Sequence, residues 1–254
     1  MTDTLVHLQH ALKRFDNDVV AFRDLTLDIS KGSFTSILGP SGCGKSTLLR
    51  VIARLISLSS GDISWNLKGN RPPSEEIGFV FQEPTLMPWA NVRRNVALPL
   101  EMNGISPTEV ATRVDAILDL VALTGFENAF PRELSGGMKM RASIARALVT
   151  APDLLLMDEP FAALDEITRE KLNDDLLNIW QTQKCSVIFV THSVYESVYL
   201  SERIIVLSER PAHIMSDINI EAPFPRSREY RLSSQYTDYC RQVSTSLLSG
   251  IDAS

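Results

Sequence analysis

The chain has 254 residues, 44% hydrophobic and 22% charged, enough for one large domain and too apolar for general disorder. Its 25 basic and 31 acidic residues leave a formal net charge of −6, which speaks against a general nucleic-acid-binding surface. Apolar runs fall far short of the roughly 20 residues that cross a bilayer, and residues 1–10 lack the apolar core of a secretory signal. Cys43, Cys185 and Cys240 fit neither a disulfide framework nor a zinc site, so a reduced, cytosolic compartment is expected.

Residues 5–8 and 25–29 alternate or cluster apolar side chains as strands do, with Lys31-Gly32 as a turn. A strand over 34–38 runs into Gly39-Pro40-Ser41-Gly42-Cys43-Gly44-Lys45-Ser46-Thr47, and a helix is predicted over 48–58. Residues 77–81 read as a strand that ends in Gln82-Glu83-Pro84. Apolar positions at helical period follow over 91–102 and 107–123, with Ser106 as a cap and Pro107 in a first helical turn. This stretch reads as a helical subdomain, residues 84–133, inserted into an α/β body. A helix then begins at Ser135 and runs to Val149. Strands over 154–157, 187–190 and 204–207 alternate with helices over 168–183 and 194–200. The pattern predicts a mainly parallel sheet flanked by helices, preceded by an N-terminal antiparallel β part. Residues 218–228 are rich in Pro and Arg, and Tyr236, Cys240, Val243 and Leu247 recur on one helical face.

Gly39-x-x-x-x-Gly44-Lys45-Ser46 matches the phosphate-loop pattern in its required context of strand, glycine loop and helix. Glycines let successive backbone N–H groups converge on phosphate oxygens, and the helix start adds its free N–H groups. Lys45 is suited to the β and γ phosphates of ATP and Ser46 to Mg²⁺. Cys43 lies inside the loop, where oxidation or alkylation would obstruct phosphate binding.

The apolar run Leu154-Leu155-Leu156-Met157 delivers Asp158-Glu159 to a sheet edge. Adjacent acids are costly unless a cation or proton is shared. Asp158 is assigned to the metal and Glu159 to polarising an attacking water.

These residues, together with Leu134-Ser135-Gly136-Gly137, give the chain its resemblance to the nucleotide-binding subunits of ABC transporters. The resemblance covers roughly residues 5–215 and implies a P-loop NTPase fold of the ABC ATPase type. It implies that Ser135, Gly136 and Gly137 contact ATP held mainly by a partner copy, so that the subunit works as a homodimer. Ser135 can donate to a phosphate oxygen, and the two glycines free N–H groups at a helix start. By matching position, Phe15 stacks on adenine, Gln82 reaches Mg²⁺ or the attacking water and senses the transport partner, Asp165 crosses the dimer interface, and His192 contacts the γ-phosphate. The family more often continues the signature with glutamine; here Met138 follows, which lacks the amide's hydrogen bonds.

Leu86-Met87-Pro88-Trp89-Ala90-Asn91-Val92, the run from Met157 to Asp165 and Thr191-His192-Ser193-Val194-Tyr195-Glu196-Ser197 are similar to the importer branch for nitrate, alkane sulfonates and taurine. Met138 and Met140-Arg141-Ala142-Ser143 resemble members that take up thiamine-precursor pyrimidines. The branch implies membrane permease subunits contacted near Gln82 and Leu86 to Trp89, an external solute-binding protein, and a peripheral position on the cytoplasmic face of the cell membrane. Residues 1–254 are expected to form a single ATPase domain, with 211–254 a short extension and no regulatory domain. The alternative, an ABC-type ATPase of DNA repair or chromosome organisation, would carry long coiled coils or zinc modules. No heptad run and no cysteine pair is present in the sequence.

Overall fold

The computed structural model describes residues 3–67 and 76–252. In chain order the elements are β1 (Thr4–Arg14), β2 (Val20–Ser30), β3 (Phe34–Leu38), α1 (Lys45–Ile52), β4 (Ser60–Trp65), β5 (Ile77–Val80), α2 (Val92–Met102), α3 (Pro107–Leu120), a 3-10 turn (Pro131–Glu133), α4 (Gly136–Leu148), β6 (Leu154–Asp158), α5 (Glu166–Gln183), β7 (Ser186–Val190), α6 (Val194–Leu200), β8 (Arg203–Leu207), β9 (Ile214–Asn219), α7 (Arg228–Arg231) and α8 (Ser234–Asp252). They fall into two compact units, Met1–Leu67 with Ser186–Ser254, and Lys68–Cys185.

In the first unit, β2-β1-β4 form the expected antiparallel ribbon. The strands are longer than the segments read from the sequence. A register shift between Leu8 and Ala11, with His10 and Asp24 both in the left-handed region, breaks the alternation that would have revealed their length. The same unit aligns β7-β3-β8-β9. β3 runs parallel to β7 and to β8, and β9 returns antiparallel to β8. Every residue of β3 and β7 is buried, as in strands covered on both faces.

The helix after the glycine loop differs from expectation. It starts at Lys45, because Gly44 already turns the chain, and it stops at Ile52, where Arg54 takes a φ of 61°. Strands β4 and β9 were not expected; both carry Ser and Asp among their few apolar residues, so no clean alternation marks them. The tail helix α8 does bury Tyr236, Cys240 and Val243 on one face.

In the second unit β5 and β6 pair in parallel, Val80 opposite Met157. Helices α2 and α3 lie within residues 84–133, and α2 packs against both α3 and α4. Their caps follow the sequence: Asn91 accepts from the Arg94 N–H and Ser106 from the Glu109 N–H, with Pro107 in the first turn. Val92, Val96, Leu100, Val114, Leu118, Leu134, Met140 and Ile144 fill the interior, each contributing about 1.5–3 kcal/mol when fully buried. Among the described residues, no helix is long and apolar enough to cross a membrane.

Candidate functional site

The first unit carries the glycine loop at the carboxyl end of β3. Gly44 has a φ of +126°, and a Cβ there would stand 2.9 Å from the Ala21 carbonyl oxygen. Only glycine can hold the loop this close to β2. Gly44 also serves as N-cap of α1 and brings no side-chain acceptor, so the first N–H groups of the helix are presented to an anion. The Lys45 side chain is buried, and its ammonium donates to the carbonyls of Gly39 at 2.8 Å and Pro40 at 2.9 Å. The loop thus holds one cation against its own carbonyls and a set of N–H donors beside it.

Pro40, Ser41, Gly42 and Cys43 line a cavity of about 410 Å³ together with Glu209 and Arg210. Arg210 donates to the Gly42 carbonyl. Cys43 is buried, and burial pushes its thiol up from the ordinary range, partly opposed by the Lys45 charge. Ser46 and Thr47 are half-buried in the first turn of α1.

Because β3 and β7 are parallel, with Ile37 opposite Val190, the glycine loop and the turn Thr191-His192-Ser193 leave neighbouring strands at the same end. This is the edge where α/β sheets place ligands. His192 is exposed. A small network brackets it: the Thr191 hydroxyl donates to the Glu196 carboxylate and accepts from the Ser193 N–H at 3.0 Å. Ser193 caps α6 by accepting from the Glu196 N–H. Phe15, in the turn after β1, is 38% exposed, with the Lys13 ammonium 5.3 Å from its ring centroid. At that exposure the ring is not part of the core.

The second unit repeats the logic. β5 and β6 are parallel, so Gln82 and the pair Asp158-Glu159 leave neighbouring strands at the same end. Gln82 is exposed, while Asp158 and Glu159 are half-buried. Glu159 has a φ of 47°, a conformation that costs a non-glycine residue about 1–3 kcal/mol and tends to mark functional turns. Asn95, fully buried in α2, clamps the loop after Gln82 by four hydrogen bonds: its Oδ1 accepts from the Met87 N–H and its Nδ2 donates to the carbonyls of Met87, Ala90 and Asn91, at 2.7–3.2 Å. Trp89 stands 75% exposed on that loop.

Ser135 is the N-cap of α4, with its oxygen accepting from the Met138 N–H at 3.2 Å. The hydroxyl proton is left to donate, and Met138 gives its backbone N–H to this cap. Gly136 and Gly137 open the helix. Asp165 caps α5 by accepting from the Thr168 N–H at 3.0 Å, a bond that holds its carboxyl below the usual range.

Sequence reasoning missed Asn95, Arg146, Glu196 and Arg210. Arg146 and Arg210 act through backbone atoms of loops distant in sequence, Asn95 through those of the loop just before its own helix, and Glu196 through a neighbour's hydroxyl, none of which leaves a residue-type pattern. A polar residue on an otherwise apolar helix face, as at Asn95 between Val92 and Val96, was the one available signal.

A family model described as ABC transporter matches residues 22–162. The chain is 46% identical to the aliphatic sulfonates import ATP-binding protein SsuB of Bacillus licheniformis, over 81% of this chain and 80% of that protein. It is 43% identical to the nitrate import ATP-binding protein NrtD of a Synechocystis species, over 91% and 89%. Its fold matches the ATP-binding cassette MJ0796, solved as a dimer bound to ADP and phosphate, with a TM-score of 0.74 and 31% identity over 86% of this chain and all of that one. The chain belongs to the ABC transporter family, as one of its ATP-binding and ATP-hydrolysing subunits.

Proposed function

We propose that this subunit powers the import of a small solute through a membrane permease, working as a homodimer at the cytoplasmic face of the membrane. The observation that carries the nucleotide-binding core of this reading is the glycine loop: Lys45 held on the loop's own carbonyls beside an α1 start whose cap brings no side-chain acceptor. A polyanion is the ligand such donors fit. The direction of transport rests on the likeness to SsuB and NrtD.

In this reading the N–H groups from Gly39 through Thr47 cradle the phosphates, and Lys45 turns its ammonium to the β and γ oxygens. Phe15 stacks on the adenine. Ser46, Asp158 and Gln82 supply the oxygen ligands suited to Mg²⁺, which would neutralise charge between the β and γ phosphates. Glu159 polarises the attacking water and accepts its proton, and His192 holds the γ-phosphate and that water in place. Ser135, Gly136 and Gly137 of the partner subunit close the site, and Asp165 lies in the dimer interface. An isologous contact completes both sites at once. Gln82 and the loop from Leu86 to Trp89 receive the permease, where an exposed Trp89 would be covered.

The test is a Glu159→Gln variant, which keeps shape and loses the proton acceptor. Light scattering with ATP and Mg²⁺ should show its mass double, and Ser135→Arg in the same background should abolish the doubling while ATP still binds. A trapped variant that stays monomeric at saturating ATP, with or without permease, overturns the shared-site reading.

A further inference from the structure

Helix α6 begins directly after His192-Ser193 and is only seven residues long. A helix of that length is not stable alone, so its position, and with it the turn that carries His192, must be set by what grips it. The front of α6 is held by the Thr191, Ser193 and Glu196 network. The back is held from the tail. Arg226 is 6% exposed, and its Nη1 donates to the carbonyls of Val198 and Tyr199, each at 2.8 Å. These belong to the last turn of the helix, whose carbonyls have no partner within it. A guanidinium there also meets the negative end of the helix dipole.

The grip is returned and reinforced. The Tyr199 hydroxyl donates to the Arg226 carbonyl at 2.9 Å. Arg231 lies over the Tyr199 ring at 3.6 Å. The Tyr236 hydroxyl donates to the carbonyl of Tyr195, in the first turn of α6, at 3.0 Å. Arg226 itself is packed by the rings of Phe224 and Tyr230 at 4.2 and 5.3 Å. A buried charge is expensive unless it is fully engaged. Here Nη1 engages two carbonyls of one short helix and Nη2 the Ala222 carbonyl at 3.4 Å, while the buried Nε has no hydrogen-bond partner, so the charge is held chiefly through the end of α6, which fixes that helix in rotation and along its axis.

We infer that Arg226 is a positioning residue for hydrolysis: the segment from Arg226 to Tyr236 clamps α6 and thereby sets where the His192 imidazole stands. This rests on the role of His192 proposed above. The clamp's hydrogen bonds run to α6 and not to the residues proposed to cradle the phosphates, so loosening it lowers the rate of hydrolysis without weakening ATP binding.

The experiment uses the full chain with Arg226→Ala, Arg226→Lys and Tyr236→Phe. The last removes one hydroxyl and keeps the ring packing, so it carries the test if Arg226→Ala does not fold. Nucleotide affinity and KM for ATP should stay within about twofold of the parent. The single-turnover hydrolysis rate should fall by up to about 100-fold in Arg226→Ala, with partial recovery in Arg226→Lys and a smaller loss in Tyr236→Phe. The second readout is the ¹³C-labelled His192 ring resonance, assigned by its loss in His192→Ala. It should shift or broaden in all three variants while the other histidines stay fixed. An unmoved His192 resonance in folded Arg226→Lys and Tyr236→Phe overturns the clamp. A His192→Ala variant that hydrolyses ATP at the parent rate would instead overturn the role of His192, whatever the resonance does. In a His192→Ala background the Arg226→Lys loss should vanish; a loss that persists unchanged counts against positioning through His192.

Discussion

Arg146, near the end of α4, holds Thr85 by two donors at once: Nη1 meets its carbonyl at 2.8 Å and Nη2 its hydroxyl at 2.9 Å, with Nη2 also reaching the Pro84 carbonyl at 3.0 Å. Thr85 sits at a φ of 47°, a conformation this grip helps to hold. The loop that follows Gln82 is therefore fastened to the same helix that opens with Ser135, Gly136 and Gly137.

Loss of this link should separate the loop proposed above to receive the permease from the helix. Arg146→Ala leaves backbone carbonyls of the loop without their donors and should cost about 1–3 kcal/mol of unfolding free energy, measurable in urea. In the assembled transporter, solute-stimulated hydrolysis should fall more than the basal rate of the isolated subunit. Equal losses in both would show that Arg146 serves only stability. Arg146→Lys cannot bond both the Thr85 carbonyl and hydroxyl in a planar fork, and should behave as an intermediate.

Lys45 donates to two carbonyls of its own loop, so removing it acts on both the loop and the ligand. Lys45→Ala should lower ATP affinity by about 10- to 100-fold, the range for one charge-assisted hydrogen bond lost. Calorimetry on the isolated subunit measures it. Parent-like affinity would show that the backbone N–H groups alone carry the phosphates.

The architecture was legible wherever a strand was apolar throughout or a helix was periodic and capped. Residues 154–157 of β6 and 187–190 of β7 ran as uninterrupted apolar segments, β3 was marked by Phe34, Ile37 and Leu38 leading into the glycine loop, and Asn91, Ser106 and Ser135 marked their helices. The loop from Gly39 to Thr47 was legible because phosphate binding by backbone demands that glycine spacing. What escaped depended on partners and not on local pattern. β4 and β9 owe their pairing to β1 and β8, not to their own pattern. Asn95, Arg146 and Arg226 bond to main-chain atoms, which every residue offers, so no partner residue type could betray them.

The two glycines of the signature should differ in tolerance. A Cβ on Gly137 would stand 2.9 Å from the Thr168 Cγ2, whereas one on Gly136 meets the Leu164 Cδ2 at 3.3 Å. Gly137→Ala should therefore cost about 1–3 kcal/mol for forced repacking, less the gain of about 1 kcal/mol in helix propensity. Gly136→Ala should be close to neutral for folding. The paired variant Gly137→Ala with Thr168→Ser removes the offending methyl and should recover stability. No recovery in thermal melts would place the strain elsewhere.

Cys43 gives a pH-dependent probe of the same loop. Burial raises its pKa, and Lys45 offsets this only in part. A raised pKa means less thiolate at any given pH, so the thiol is protonated and unreactive near neutrality. Its alkylation by iodoacetamide should be slow at pH 7 and still rising above pH 9, the ordinary thiol value. Tandem mass spectrometry separates its signal from those of Cys185 and Cys240, both also buried. ATP with Mg²⁺ should protect Cys43 and leave the other two rates unchanged, because only Cys43 lines the phosphate-loop cavity among the three. Once carboxamidomethylated, the loop should lose nucleotide binding: a Cβ added to Gly39 would already come within 2.9 Å of the Sγ, which leaves the added group no room on that side. Rapid alkylation at pH 7 without loss of ATP binding would refute this account of the loop.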